Sequence, residues 1–151
     1  MNKPILVIAL GNTLCGDDGF GPEVLARLRD DALLSARVEL LLAGTDLVGT
    51  IDLFPCYERV VLIDAVLDPA RAGTVQVFEE EALARWPAPA PSGHQLSPLV
   101  ALGLFRALFP QATTQIGLVG LCVDRVGLGP GLSHPEAVAA GVEAVRRIAG
   151  V

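Results

Sequence analysis

Three segments of the sequence are apolar almost throughout, and this feature constrains the fold more than any other. They are residues 3–10, 59–64 and 114–123. Continuous apolar runs are typical of strands that are buried on both faces, whereas strands with one face in water alternate apolar and polar residues. The three segments therefore predict strands of a sheet that other elements cover on both sides.

Two further strands and four helices complete the predicted order of elements. Residues 38–42 form the second strand, and residues 73–78 alternate apolar and polar side chains, which is typical of an edge strand. The first helix begins at about Pro22, and the second follows Thr45 as its capping residue and ends at about Leu53. The third runs from Pro98 to about Leu108. The fourth begins at a capping box formed by Ser133 and Glu136 and ends at about Ala149. Alternating strands and helices predict a single α/β domain over residues 1–151, with three layers (α/β/α) around a mainly parallel sheet.

Composition and charge exclude several classes of protein. The net charge is −6 without a basic cluster, so we do not expect a nucleic-acid partner. No apolar run approaches the roughly 18 residues of a membrane span, so we do not expect membrane insertion. The three cysteines, Cys15, Cys56 and Cys122, are far apart and form no CxxC motif. Such usage is typical of a reducing compartment and predicts a cytoplasmic protein.

Ligand sites of doubly wound sheets lie beyond the carboxyl ends of the strands, and that rule selects three parts of this chain. The first is the loop 11–21, where Asp17 and Asp18 lie between glycines. Two carboxylates at a helix entrance either complement the helix dipole or contribute to a site. A phosphate cradle is disfavoured, because the two aspartates would repel phosphate and the loop has neither a GxGxxG pattern nor a Walker lysine.

The other two parts are Asp64, which ends the third strand, and residues 92–97, which contain His94. A carboxylate such as Asp64 is either hydrogen-bonded to a neighbouring loop or directed into a site, and a single loop histidine is more often a surface residue than a ligand. Together, Asp18, Asp64 and His94 would supply two oxygens and one nitrogen to zinc, nickel or another divalent metal. Cys15 is a nucleophile, a soft metal ligand or a small apolar loop residue.

The sequence resembles the hydrogenase maturation proteases, and the resemblance covers nearly the whole chain in the same order. It is carried by five segments: GNTLCGDDGFG at 11–21, AGT at 43–45, LIDA at 62–65, HQLSP at 94–98 and GLGPGLS at 127–133. The resemblance implies a twisted sheet of about five strands. It also implies an endopeptidase that removes the C-terminal extension of a nickel–iron hydrogenase large-subunit precursor.

The resemblance also implies roles for individual residues. Asp18, Asp64 and His94 occupy the positions of the catalytic, metal-contacting set, with Asp18 where relatives often have Glu. We further predict that Gly44, Thr45 and Asp17 bind substrate. The metal is expected to be nickel that is already present in the precursor, although zinc held by the enzyme is also compatible with these ligands.

One departure from the family pattern follows the second predicted strand. Relatives commonly have Asp-Gly-Gly-Thr there, whereas this chain has Leu42-Ala43-Gly44-Thr45. The missing acid puts in doubt any role of this loop, such as substrate selection, and Asp46 is a candidate to replace it.

Three other functions fit parts of the sequence. The chain could be a zinc peptidase or amidohydrolase that uses the same three residues, or a docking or chaperone protein that binds the nickel-containing precursor without cutting it. A flavodoxin-like nucleotide-binding domain is disfavoured by the acidic first loop. The sequence does not indicate which hydrogenase or which peptide bond is the target, the oligomeric state, or whether substrate or enzyme supplies the metal.

Overall fold

A five-stranded sheet organises the described part of the chain, which in this computed structural model comprises residues 3–12, 16–85, 98–124 and 131–151. The strands are β1 (Ile5–Leu10), β2 (Val38–Gly44), β3 (Arg59–Leu67), β4 (Val75–Glu79) and β5 (Gln115–Val123). Their spatial order is β2-β1-β3-β5-β4. All neighbouring pairs are parallel except β4 with β5. The predicted mainly parallel sheet and the edge position of β4 are therefore confirmed.

The antiparallel direction of β4 follows from its short connection to β3. Residues 68–74 link the two strands and include only a 3-10 helix, Pro69–Arg71. A parallel crossover needs a dozen or more residues. After a short link of this kind, β4 therefore starts at the end of the sheet where β3 ended and runs in the opposite direction. The connection passes β5, which pairs with β3 on one side and with β4 on the other.

Helices cover both faces of the sheet. They are α1 (Phe20–Leu28), α2 (Ala32–Ser35), α3 (Glu80–Ala84), α4 (Pro98–Leu108) and α5 (Ala137–Ala149). The α1 and α5 helices share one apolar core with the sheet, and α3, α4 and the 3-10 helix Val48–Cys56 share the other. Among the described residues, no helix is long and apolar enough to span a bilayer.

The side chains of β1 explain why its sequence is apolar at every position. Ile5 and Val7 pack in the core under α1 and α5, whereas Leu6, Ile8 and Leu10 pack in the core under α4. Successive strand residues point to opposite faces, so a strand with helices on both sides has no position for a polar side chain. The three-layer α/β/α prediction is confirmed.

Two predicted helix caps are wrong. Thr45 does not cap the second helix: that element is the 3-10 helix Val48–Cys56, and the carboxylate of Asp46 accepts a hydrogen bond from the N–H of Gly49 (3.0 Å) at its start. Ser133 does not form a capping box either, because its hydroxyl donates to Asp17 and α5 begins at Ala137. In both cases an aspartate carboxylate, which is a stronger acceptor than a hydroxyl, determines the local hydrogen bonds.

Candidate active site

Asp64 lies at the point where β1 ends beside β3. The last residue pair between these strands joins Ala9 to Ile63, whereas β3 continues beside β5 as far as Leu67. The prediction that the strand ends at Asp64 is therefore wrong, because β5 extends the pairing. Only 4% of Asp64 is exposed, and its Oδ1 accepts a hydrogen bond from the N–H of Ala65 (2.8 Å).

The first loop places Asp18 at this same end of the sheet. Asp18 belongs to a 3-10 helix, Gly16–Gly19, and its Oδ2 accepts a hydrogen bond from the N–H of Asn12 (2.9 Å). The loop crosses closely over Gly11: a Cβ there would lie 1.8 Å from the backbone oxygen of Asp18, and the φ of Gly11 is +113°. Glycine is therefore required at position 11 for the loop to close.

Asp18 and Asp64 are close enough to interact electrostatically. Burial and, to a smaller extent, the charge of Asp18 raise the pKa of Asp64 to about 8, and the hydrogen bond from Ala65 partly opposes both effects. Burial also raises the pKa of Asp18, against the hydrogen bond from Asn12. Without a cation, Asp64 therefore holds a proton at neutral pH. The structure thus brings together two of the three residues predicted to form the catalytic, metal-contacting set.

The donor set fits a divalent cation. One oxygen of each carboxylate is held by a backbone N–H, and among the described residues nothing donates a hydrogen bond to the other. A buried carboxylate and a half-buried one that repel each other when both are ionised gain from a cation placed between them. A third donor is not found within the described ranges, where no group of three His, Cys, Asp or Glu side chains could hold a metal. His94, the predicted third ligand, and Cys15 lie outside the described residues.

Asp17 contacts another part of the chain. Its Oδ1 accepts from the N–H of Ser133 (2.7 Å) and its Oδ2 from the hydroxyl of Ser133 (2.8 Å). Only 5% of Asp17 is exposed. Substrate binding by Asp17 stays a prediction, but the structure gives both of its carboxylate oxygens a partner within the protein. Sequence reasoning missed this contact, because Ser133 is 116 residues away and its neighbours match a local capping pattern.

Gly44 and Thr45 lie beside the first loop, as a substrate-binding role would require. The carbonyl oxygen of Gly44 accepts a hydrogen bond from the N–H of Gly11 (2.9 Å), and Thr45 is exposed. Nothing lies within 4 Å of the Cβ that a side chain at Gly44 would have. The substrate-binding role of both residues stays a prediction. Asp46, the candidate to replace the acid missing at this loop, instead bonds to Gly49.

Comparisons with known proteins point to one group of relatives. No protein-family model matches the sequence. The chain is 29% identical over 126 residues to the hydrogenase expression/formation protein HupD of Thiocapsa roseopersicina, and 28% identical over 129 residues to HupD of Rhizobium leguminosarum bv. viciae. These matches cover 82% and 83% of this chain, but it spans only 57% and 63% of the two relatives' lengths.

A solved structure extends the similarity over nearly the whole fold. The [NiFe] hydrogenase maturation protease HybD from Thermococcus kodakarensis superimposes with a TM-score of 0.75 at 29% sequence identity. The match covers 96% of this chain and 98% of that one. The fold predicted from the resemblance is therefore confirmed by a structure of similar length.

Proposed function

Because this chain is a relative of the hydrogenase maturation proteases, we propose that it is an endopeptidase that processes a nickel–iron hydrogenase large-subunit precursor. It removes the C-terminal extension of the precursor after nickel has been inserted. The same proposal places the protein in the cytoplasm, and among the described residues Cys56 and Cys122 are free thiols. Asp18, Asp64 and His94 form the proposed site.

The observation that carries this proposal is the pairing of Asp18 with the buried Asp64 at the carboxyl end of the sheet. An unpaired buried carboxylate is costly, so a protein keeps one only where another group or a function compensates for it. Here the charge that acts on Asp64 is itself that of a carboxylate, Asp18, which raises the cost further. A cation brought by the substrate would compensate for both charges.

The proton held by Asp64 favours a cation that arrives with the substrate over one that the protein holds permanently. Because the pKa of Asp64 is about 8, a cation has to displace a proton at neutral pH, which weakens its affinity by about tenfold at pH 7. A site of this kind holds free metal weakly. It binds well only when further ligands, such as those of the precursor, hold the same ion, so that cleavage depends on nickel insertion.

In this mechanism, the carboxylates position the reacting groups. One oxygen of Asp64 is held by the N–H of Ala65. After Asp64 has lost its proton, its second oxygen would bind the nickel that the substrate carries. Asp18 is only half-buried and can accept a proton from the attacking water as a general base. Nickel in the substrate would polarise the scissile carbonyl or lower the pKa of that water.

The proposal is tested by mass spectrometry of a purified large-subunit precursor, with and without nickel, after incubation with this protein. We expect the loss of a short C-terminal peptide only when nickel is present. Asp18→Asn and Asp64→Asn should each abolish the cleavage. Asp52→Asn, which removes an exposed carboxylate from the 3-10 helix Val48–Cys56, should cleave at the wild-type rate.

Other outcomes would favour the other functions. A precursor that binds but keeps its mass would refute peptidase activity and indicate a docking protein. One zinc ion held per chain after purification, together with cleavage of nickel-free precursor, would indicate a resident-metal hydrolase. Full activity of either Asn variant would remove that aspartate from the site.

A further inference from the structure

The contact between Asp17 and Ser133 joins two segments that are distant in sequence. Asp17 lies in the 3-10 helix before α1, and Ser133 lies shortly before α5. Each oxygen of the buried carboxylate accepts one hydrogen bond, from the N–H and from the hydroxyl of the same serine. Two hydrogen bonds to a charged acceptor fix both the position and the rotation of the carboxylate.

The rotation matters because the next residue is Asp18. Consecutive side chains of a 3-10 helix point about 120° apart, so the direction of one determines the direction of the other. With Asp17 held by Ser133, Asp18 points to a different side of the turn, where the N–H of Asn12 bonds to it. The close approach of Gly11 to the backbone oxygen of Asp18 fixes the same turn from the other side.

The turn needs this restraint because Asp18 is only half-buried, so its side chain has room to rotate away from Asp64 and towards water. The hydrogen bond that Asp18 accepts comes from the N–H of Asn12, an exposed residue. A contact from outside the carboxylate pair is therefore required to hold the direction of Asp18.

We propose that Ser133 and Asp17 are a positioning pair that holds Asp18 in its orientation towards Asp64 before the substrate binds. Its effect on catalysis rests on the proposed function, whereas its effect on the orientation of Asp18 does not. Ser133 acts through Asp17, so it is a positioning residue and not a catalytic one. It links the final loop before α5 to the site at the end of β1.

Hydrogen exchange of two adjacent amides tests the orientation without any substrate or metal. The N–H of Asn12 donates to Asp18, whereas the N–H of Gly11 donates to the carbonyl of Gly44 in β2. In Ser133→Ala, we expect the Asn12 amide to exchange several-fold faster by NMR while the Gly11 amide is unchanged. Ser133→Thr keeps the hydroxyl and should restore the wild-type rate.

Kinetics on the nickel-loaded precursor tests the catalytic consequence. Ser133→Ala should lower kcat by about tenfold and change KM by less than about twofold, since residues that orient ligands have effects of this size. Asp17→Asn should act in the same direction. The control is Ser35→Ala, which removes a hydroxyl that bonds only locally, to the carbonyl of Ala32, and should change neither exchange nor kcat.

Two outcomes would overturn the proposal. If the Asn12 amide and kcat are both unchanged in Ser133→Ala, the pair does not position Asp18. If Gly11 and Asn12 exchange faster together, along with the amides of β1, the contact only stabilises the fold. If the wild-type protein cleaves no precursor but Asn12 still responds selectively, the positioning holds and the proposed peptidase function fails.

Discussion

Replacing Asp64 by Asn should stabilise the protein without metal, and the gain should grow with pH. The carboxyl of Asp64 ionises near pH 3.8 in the unfolded chain but near pH 8 in the folded protein. Between these values the unfolded chain has released the proton and the folded protein has not. Its contribution to stability is therefore fully present below about pH 4 and is lost as the pH rises towards 8. Asn does not ionise, so the variant has no such loss.

The size of the effect follows from the two pKa values. A difference of about four pH units, at about 1.4 kcal/mol each, sets an upper limit of about 6 kcal/mol on the stability lost by pH 9. Asn keeps the acceptor for the N–H of Ala65 but buries an additional N–H₂ group, which costs roughly 1–3 kcal/mol. We therefore expect a net gain of up to about 3–5 kcal/mol at pH 9, and a net loss of roughly 1–3 kcal/mol at pH 4.

Equilibrium unfolding in urea, with a chelator present, measures this difference at pH 4, 7 and 9. Asp52→Asn serves as the control, because it removes an exposed carboxylate from the same molecule. Its stability relative to wild type should change little with pH. A difference between Asp64→Asn and wild type that is independent of pH, or that shrinks as the pH rises, would refute the reasoning.

Two further predictions concern the same end of the sheet. The affinity of the protein for Ni²⁺ alone, measured by titration calorimetry, should rise by up to about tenfold per pH unit from pH 6 to 8 and then level off. The reason is that binding displaces the proton of Asp64. An affinity independent of pH would show that Asp64 is not a ligand. Gly11→Ala should lower the free energy of unfolding in urea by more than about 2 kcal/mol, since the φ of this residue is +113° and its Cβ would overlap the backbone of Asp18. The control is Gly103→Ala in α4, where nothing lies within 4 Å of the added Cβ. This variant should not destabilise the protein in the same assay.

The sheet could be predicted because each strand can be recognised from its own short segment of sequence. A strand such as Ile5–Leu10 is apolar at every position because each face meets a different core. The rule that sites lie beyond the carboxyl ends of parallel strands then predicts that Asp18 and Asp64 lie at the same end of the sheet. Their proximity is the part of the site that sequence reasoning predicted and the structure contains.

The hydrogen bonds around the site could not be predicted in the same way. The pattern at Ser133 matches a capping box, yet the actual partner of its hydroxyl is 116 residues away in the chain. Similarly, Thr45 has the residue type of a helix cap, but Asp46 is one residue closer to the N–H that needs an acceptor. Side-chain pairing depends on the folded geometry, which residue type and spacing do not determine. The role of His94 stays a prediction.

The glycines of the site resist substitution for two different physical reasons. A side chain at Gly21 would lie 2.3 Å from the carbonyl oxygen of Leu10 and 2.7 Å from that of Ile63, so α1 must start in contact with the end of β1 and with the part of β3 beside it. Gly44, by contrast, has open space around it, but its φ of +61° lies in the left-handed region that favours glycine. A side chain is therefore excluded at Gly21 by its neighbours, whereas at Gly44 it is disfavoured by the backbone conformation alone.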